Sequence, residues 1–331
     1  MKLVSFQIGD DIRLGAVWQE RVIDLNLSYT AYLTTKGHAS PASVSLSEMP
    51  PTMIPFLELG KDAIERAKKL LEVVDSGGIF GQEDFGKFSY PKDAVQLLAP
   101  VPYPGKIIVV GLNYPAHVSE SQVDIPKLPW TFSKPSSVII GPEHPIARPP
   151  LTKHLDGEVE LGVIIGARGK YIQKEDALEY VAGYSIFNDV SARNIQFEGQ
   201  VGLRCFFLGK SFQDSAVLGP ALVTADELSE PYNLSMAMYY NDRLIRKGNT
   251  KHYIFKVEEL IAFYSRFFTL EPGDVIACGC PPAIVKKKHH IFYDKDYRFL
   301  EPGDRCICEV EGIGVLENPI IDVTESKNDP N

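Results

Sequence analysis

From Lys106 onward the sequence is a succession of short β-branched runs, each cut within a few residues by Gly or Pro. Ile107–Val110 runs into Gly111, and Val163–Ile165 runs into Gly166. Runs of that length, so punctuated, read as strands. Two helices interrupt them. One is expected over Glu175–Ala182, stopped by Gly183. The other is expected over Val257–Phe267, where Val257, Leu260, Ile261 and Tyr264 share a face. The string Leu-Glu-Pro-Gly-Asp occurs at 270–274 and again at 300–304, each time before a Cys-x-Cys run. Pro-Gly suits the centre of a type II turn, so these are two similar turn-plus-strand units.

Ahead of Lys106 the character differs. Residues 2–27 alternate loosely between Gly-Asp and Gln-Glu turn signals and read as a short antiparallel meander. Residues 61–75 put Ile64, Ala67, Leu70, Leu71 and Val74 on one helical face, with Gly77-Gly78 as a stop. The expected organisation is a small N-terminal α+β domain over 1–76, a Gly- and Pro-rich connector over 77–105, a strand-dominated domain over 106–323, and a polar tail over 324–331.

The chain has 331 residues, 44% of them hydrophobic, enough for a large core without staples. Its formal charge of −9 and pI near 5.4 argue against a general nucleic-acid binder or a polybasic membrane anchor. No apolar run approaches the about 18 residues needed to span a bilayer. The first eleven residues lack the apolar core of a signal peptide, so a cytoplasmic location is the expectation. The five cysteines read as reduced thiols: the Cys278/Cys280 and Cys306/Cys308 spacing is too tight for a structural zinc site and suits buried strand positions.

Four segments carry candidate chemistry. Glu158 and Glu160 are two apart on an apolar run, so both point to one face. Adjacent carboxylates repel and raise each other's pKa, and a hard divalent cation removes that penalty. An exposed acidic strand is the plainer alternative. Asp189 closes the apolar run Tyr184–Phe187, and Arg193 and Gln196, three apart, can share a face of the turn that follows. A helix cap with surface Arg and Gln fits that segment as well. Lys210 follows the apolar Cys205–Leu208 run. His117 and Glu120 stand at i and i+3, where a carboxylate can strengthen an imidazole base or simply form a surface pair.

The order Gly-x-Asn-Tyr-x-x-His-x-x-Glu (111–120), Glu-x-Glu-Leu (158–161), Asn-Asp-x-Ser-Ala-Arg-x-x-Gln (188–196) and Gly-Lys-Ser-Phe (209–212) resembles the fumarylacetoacetate hydrolase family. The resemblance runs from about Lys106 to Asn318 and takes in Phe132-Ser133-Lys134-Pro135, Leu218-Gly219-Pro220 and Glu311-Gly312-Ile313-Gly314. It implies an α+β, mostly β fold: a mixed β-sandwich roll with a smaller N-terminal α+β domain, forming a homodimer. It implies that Glu158, Glu160 and Asp189 ligate Mg²⁺ or Mn²⁺, with Ca²⁺ as a further option. Tyr114, Arg193, Gln196 and Cys280 would line the substrate side, Lys210 would assist catalysis, and His117 with Glu120 would activate water. The loop over 112–130 would close as a lid. The substrate would be a small oxo-acid.

The reaction this suggests is hydrolysis of a C–C bond in a 1,3-dicarbonyl or acylpyruvate-like acid, through an enolate on the cation. Decarboxylation, tautomerisation or isomerisation, and hydratase or lyase chemistry share that enolate. A non-catalytic binding homologue is the rival class. No Gly-x-Ser-x-Gly elbow, Walker loop or His-Glu-x-x-His helix occurs. Two departures stand out, one of them Tyr114-Pro115-Ala116-His117, where many relatives have charged residues between Tyr and His. Where relatives carry Gly-Thr-Pro, this chain has Gly279-Cys280-Pro281, and a thiol is a weaker donor than a hydroxyl. The run Lys286–His290 then reads as a solvated loop or a cationic rim.

Overall fold

In a computed structural model, residues 1–76, 85–121, 124–197, 205–285 and 297–323 are described, side chains 120 and 121 excepted. The Gly77-Gly78 stop, the Lys286–His290 run and the tail after Val323 lie outside them.

One large sheet organises the chain. Its strands lie in the order Ser89–Pro91, Arg21–Asp24, Asp11–Trp18, Lys2–Ile8, Ala216–Thr224, Val181–Asp189, Val159–Ile165, Val275–Ala277, Ile107–Gly111 and Trp130–Lys134. Neighbours along this path are antiparallel except Val275–Ala277 with Ile107–Gly111, which run parallel. A five-stranded sheet (Arg243–Asn249, Ser235–Tyr240, Arg305–Val310, Gly314–Asp322, Ile146–Arg148) lies apart from it.

The unbroken apolar runs follow from what covers the large sheet. Ile108, Val110, Val163 and Ile165 pack with Met236, Met238, Cys306 and Leu316 of the five-stranded sheet. Their sequence neighbours Ile107, Val109 and Ile164 pack instead with Leu25, Leu33, Phe56, Ala67 and Leu70 of the N-terminal helices. A strand whose two faces are both dry has no polar alternation to display. The mixed, strand-dominated architecture expected from the resemblance is therefore present.

The meander forms as three antiparallel strands, Lys2–Ile8, Asp11–Trp18 and Arg21–Asp24. Its first strand pairs with Ala216–Thr224, so the meander extends the large sheet. The helix Lys61–Asp75 buries Ala63, Ala67, Leu70 and Val74. Both Pro-Gly turns form alike: Gly273 and Gly303 take φ of 87° and 93°, which the third position of a type II turn requires. In each, the following aspartate caps the turn by accepting from the N–H of Glu271 or Glu301.

Two expected helices differ. The segment expected as helix over 175–182 is a 3₁₀ stretch, Lys174–Tyr180, and Val181 and Ala182 already belong to the strand Val181–Asp189. Pairing with Val159–Ile165 overrides the helical pattern there. The second helix ends at Tyr264 rather than Phe267. All five cysteines are free, and Cys278, Cys280, Cys306 and Cys308 are buried. Among the described residues no helix is long and apolar enough to cross a membrane.

Candidate active site

Register brings the acidic side chains together. Glu160 lies opposite Phe187, and the Asp189 N–H donates to the Glu158 carbonyl at 2.9 Å. Cross-strand neighbours share a face, so Glu158, Glu160 and Asp189 all project from the same end of the same sheet face. All three are buried, and all three line a cavity of about 800 Å³. A second cavity of about 850 Å³, near Arg21, Lys92 and His144, is lined by none of the residues singled out from the sequence.

Four cations hold this floor. Lys210 Nζ sits 2.6 Å from Glu158 Oε2 and 2.6 Å from Asp189 Oδ2. Lys134 Nζ lies 2.8 Å from Asp189 Oδ1 and donates to the Ser215 carbonyl at 2.8 Å. The Arg193 guanidinium bridges Glu158 and Asp156, with Nε 2.8 Å from Asp156 Oδ2, and donates to Gln196 Oε1 at 2.9 Å. Arg246 NH2 is 2.8 Å from the same Asp156 oxygen.

Asp156 is a sealed hub. Its other oxygen accepts from Tyr240 at 2.6 Å and Tyr297 at 2.5 Å. Burial pushes its carboxyl up, but Arg246 and Arg193 outweigh this and hold it below the usual range. Glu158 is treated likewise: burial raises it, and Arg193, Lys210 and Arg246 hold it well below.

Glu160 stands apart. Burial raises its proton affinity, and Asp189 and Glu158 raise it further. Against these stand the Gly279 N–H, which donates to Oε2 at 2.7 Å, and the more distant Lys210. The net shift is well upward. Buried Lys134 is moved the other way, pulled down to about 8 by burial despite Asp189 beside it.

A buried carboxyl short of positive charge, next to two others, is the donor set that a hard divalent cation completes. Ligand atoms of Glu158, Glu160 and Cys280 lie within 4.8 Å of one another, the one such group among the described residues. Burial and Glu158 push the Cys280 thiol up, so it stays protonated, and a neutral thiol is a poor ligand for Mg²⁺ or Mn²⁺. The fit is to the carboxylates, with Cys280 beside them on the cavity wall.

The other expected site residues divide. His117, on the helix Pro115–Ser121, lines the cavity, as do Arg193, Gln196 and Lys210. The Glu120 side chain lies outside the described set. Tyr114 corrects the expectation: it is buried in the core rather than on the cavity wall, edge-on to Tyr253 at 5.0 Å with its hydroxyl toward Met236. Its neighbour Asn113 pins the turn by donating to the carbonyls of Cys278 and Phe255, so this pair is scaffold that aims the His117 helix. Arg193 and Lys210 also differ from a plain substrate-facing role, since both are bound to the acidic floor.

Three contributors were missed: Lys134, Asp156 and Arg246. Lys134 carried a usable signal, because it alternates with Phe132 on one strand and so shares its face. Arg246 carried none, since its partner lies 90 positions away.

The family model "Fumarylacetoacetate (FAA) hydrolase C-terminal" matches residues 106–321. A rat protein named mitochondrial oxaloacetate tautomerase Fahd2a is 40% identical over 273 residues, 82% of this chain and 80% of its own length. The Xenopus laevis oxaloacetate tautomerase fahd2 is 37% identical over 97% of this chain and 90% of its own. Among solved structures, maleylpyruvate hydrolase from Sphingobium sp. SYK-6, in complex with manganese(II) and pyruvate, is similar at a TM-score of 0.70 and 27% identity, over 97% of this chain and 99% of that one.

These relatives overturn the cytoplasmic expectation, because the rat, frog, bovine and human proteins are all named as mitochondrial. That expectation rested on a missing apolar leader. Mitochondrial address segments are amphipathic and Arg-rich, so a missing apolar run does not bear on that compartment.

Proposed function

The chain belongs to the fumarylacetoacetate hydrolase family, and from that premise we propose that it interconverts the keto and enol forms of a small 2-oxo acid of the oxaloacetate type, using a divalent cation on Glu158, Glu160 and Asp189. The observation that carries this reading is the buried carboxylate floor, in which Glu160 alone is left short of positive charge. The tautomerases at 37–40% identity support this reaction over the C–C hydrolysis first expected, which is named for a relative at 27%.

A divalent cation held by Glu158, Glu160 and Asp189 would supply a Lewis acid toward the oxo oxygen, and oxygen donors of this kind suit Mg²⁺ or Mn²⁺. The chain's own groups do the rest. Lys210 and Arg193 neutralise Glu158 and Asp189, so an anionic substrate meets a floor that does not repel it. Lys210 Nζ also places an ammonium N–H donor among the cavity-lining groups, toward an oxygen that gains charge as the α-proton leaves. His117 faces the same cavity and is a candidate to carry the proton.

One observation keeps C–C hydrolysis as the second reading: His117 reaches the cavity from a separate helix, where it can serve a water as readily as a carbon acid. A homodimer belongs to the same proposal, with exposed Phe207 and Leu208 as apolar surface for a second copy to cover. Sedimentation at micromolar concentration tests it.

The deciding assay adds Mn²⁺-loaded protein to the enol form of oxaloacetate and follows loss of the enol's ultraviolet absorbance. A coupled assay for pyruvate runs in parallel on acylpyruvates. Accelerated enol decay, abolished by chelator, with no pyruvate released, is the expected result. Pyruvate release that His117→Ala removes would install the hydrolytic reading instead.

A further inference from the structure

The charged residues make up only part of the cavity lining. Beside them the lining is apolar and includes Trp130, Phe132 and Phe206. The strand Trp130–Lys134 delivers Lys134 to Asp189, and its two-residue period turns Phe132 and Trp130 to the same face. Trp130 lies flat on Gly111, where a Cβ would stand 2.1 Å from the indole. A side chain at 111 would displace the ring. Phe206 closes the shelf, edge-on to Trp130 at 4.7 Å and tilted to Phe132 at 6.0 Å between centroids. Lys210 Nζ then sits 5.4 Å from the Phe132 centroid. The aromatic shelf therefore begins where the charged floor ends.

A cavity of about 800 Å³ is in the range that encloses ligands much larger than a four-carbon acid, about 300–1,000 Å³. Trp130 and Leu128 line it yet remain 37% and 64% exposed, an apolar rim that a small dicarboxylate would leave wet. We propose that Trp130, Phe132 and Phe206 form a subsite for an aryl or alkyl substituent, so that the preferred substrate is a 2-oxo acid carrying an apolar group beyond its reacting carbons. This rests on the oxo-acid reading above and narrows its substrate class.

The sequence supplies a direct reporter, because it contains two tryptophans, Trp18 and Trp130. In Trp18→Phe protein all tryptophan emission comes from the shelf. The full chain, Mg²⁺-loaded, is titrated with pyruvate and with 4-phenyl-2-oxobutanoate, and Trp130 emission is followed. The phenyl acid should bind about tenfold more tightly than pyruvate, as expected for burying a ring against aromatic partners. Adding Phe206→Ala should erase most of that difference while leaving pyruvate binding within about twofold. Leu128→Ser, at an exposed rim position, should reduce it severalfold and serves if the Phe206 variant does not fold.

Equal affinity for the two acids overturns the subsite, as does a difference that both variants leave intact. If the phenyl acid binds more tightly but enol decay is not accelerated with any acid, the subsite stands and the tautomerase reading falls. If neither acid binds, both fall.

Discussion

Two buried acids four residues apart, Asp156 and Glu160, have opposite surroundings. Asp156 is enclosed by two guanidinium groups and two phenols and does not line the cavity. Glu160 opens on the cavity, accepts one backbone N–H, and has two like charges beside it. Burial alone does not distinguish them. The difference lies in how far each charge is compensated: the fully compensated acid is scaffold, and the under-compensated one is where a cation gains most. Acid should titrate them with opposite sign. The lowered pKa of Asp156 adds stability that is present above the usual carboxylate range and is lost as pH falls through the lowered value. The raised pKa of Glu160 adds stability that is present below the usual range and is lost as pH rises toward the raised value.

The largest expected effect comes from opening the sealed hub. Asp156→Asn leaves Arg193 and Arg246 buried against a neutral partner and should destabilise the protein by about 3–5 kcal/mol in urea melts. A loss under about 1 kcal/mol would break the contrast, since Asp156 would then be no scaffold.

Glu160→Gln should do the reverse. It keeps an acceptor for the Gly279 N–H and removes a poorly compensated carboxylate, so the metal-free fold should hold or gain stability. Mn²⁺ affinity by calorimetry should fall about 100-fold or more, at or past the upper end of what outer partners of a metal site contribute. Unchanged affinity would remove Glu160 from the proposed ligands.

The same contrast predicts a pH dependence. Cation and proton compete for Glu160, so Mn²⁺ affinity should rise with pH by up to about tenfold per unit for one displaced proton. Glu160→Gln should flatten that slope. A slope that survives would assign the displaced proton to another group, with Lys134 the first to examine.

The smallest effect is expected at Cys280, whose sulfur stands with the carboxylates on the cavity wall. Cys280→Thr replaces a weak donor with a stronger one, worth roughly 0.5–1.5 kcal/mol if satisfied, about two- to thirteenfold in kcat/KM for an unsubstituted oxo-acid. No change would place the substrate's polar end elsewhere.

These features were unequally legible in the sequence. Glu158 and Glu160 could be placed on one face from their strand spacing, although an exposed acidic strand fitted that segment as well, and Asp189 joined them only through the motif order that resembles the family. The cations that balance them could not, because their partners come from strands far along the chain. Lys210 was noticed, but nothing local said that it would lie between Glu158 and Asp189. Tyr114 was drawn into the site by its neighbours in the motif, whereas the turn that Asn113 pins sends its ring into the core. The start of the strand Val181–Asp189 was hidden for a related reason: Val181 and Ala182 continue the pattern of the preceding segment, and pairing with Val159–Ile165 assigns them to the strand.

The seating of the first strand has a consequence for synthesis. Met1 bonds to Thr224, 223 positions away, and Lys2 pairs with Val223. Translation at about 5–20 residues per second leaves the Lys2–Leu3 end of this strand without Ala216–Thr224 for about 10–45 s, although Asp11–Trp18 can pair with it at once. Through that interval the nascent chain presents an open edge at Lys2–Leu3 and the apolar side chain of Leu3, fully buried in the finished protein. Mistranslation, slow codons or loss of a ribosome-associated chaperone should therefore tell first as aggregation of nascent chains, before any defect in the mature protein appears.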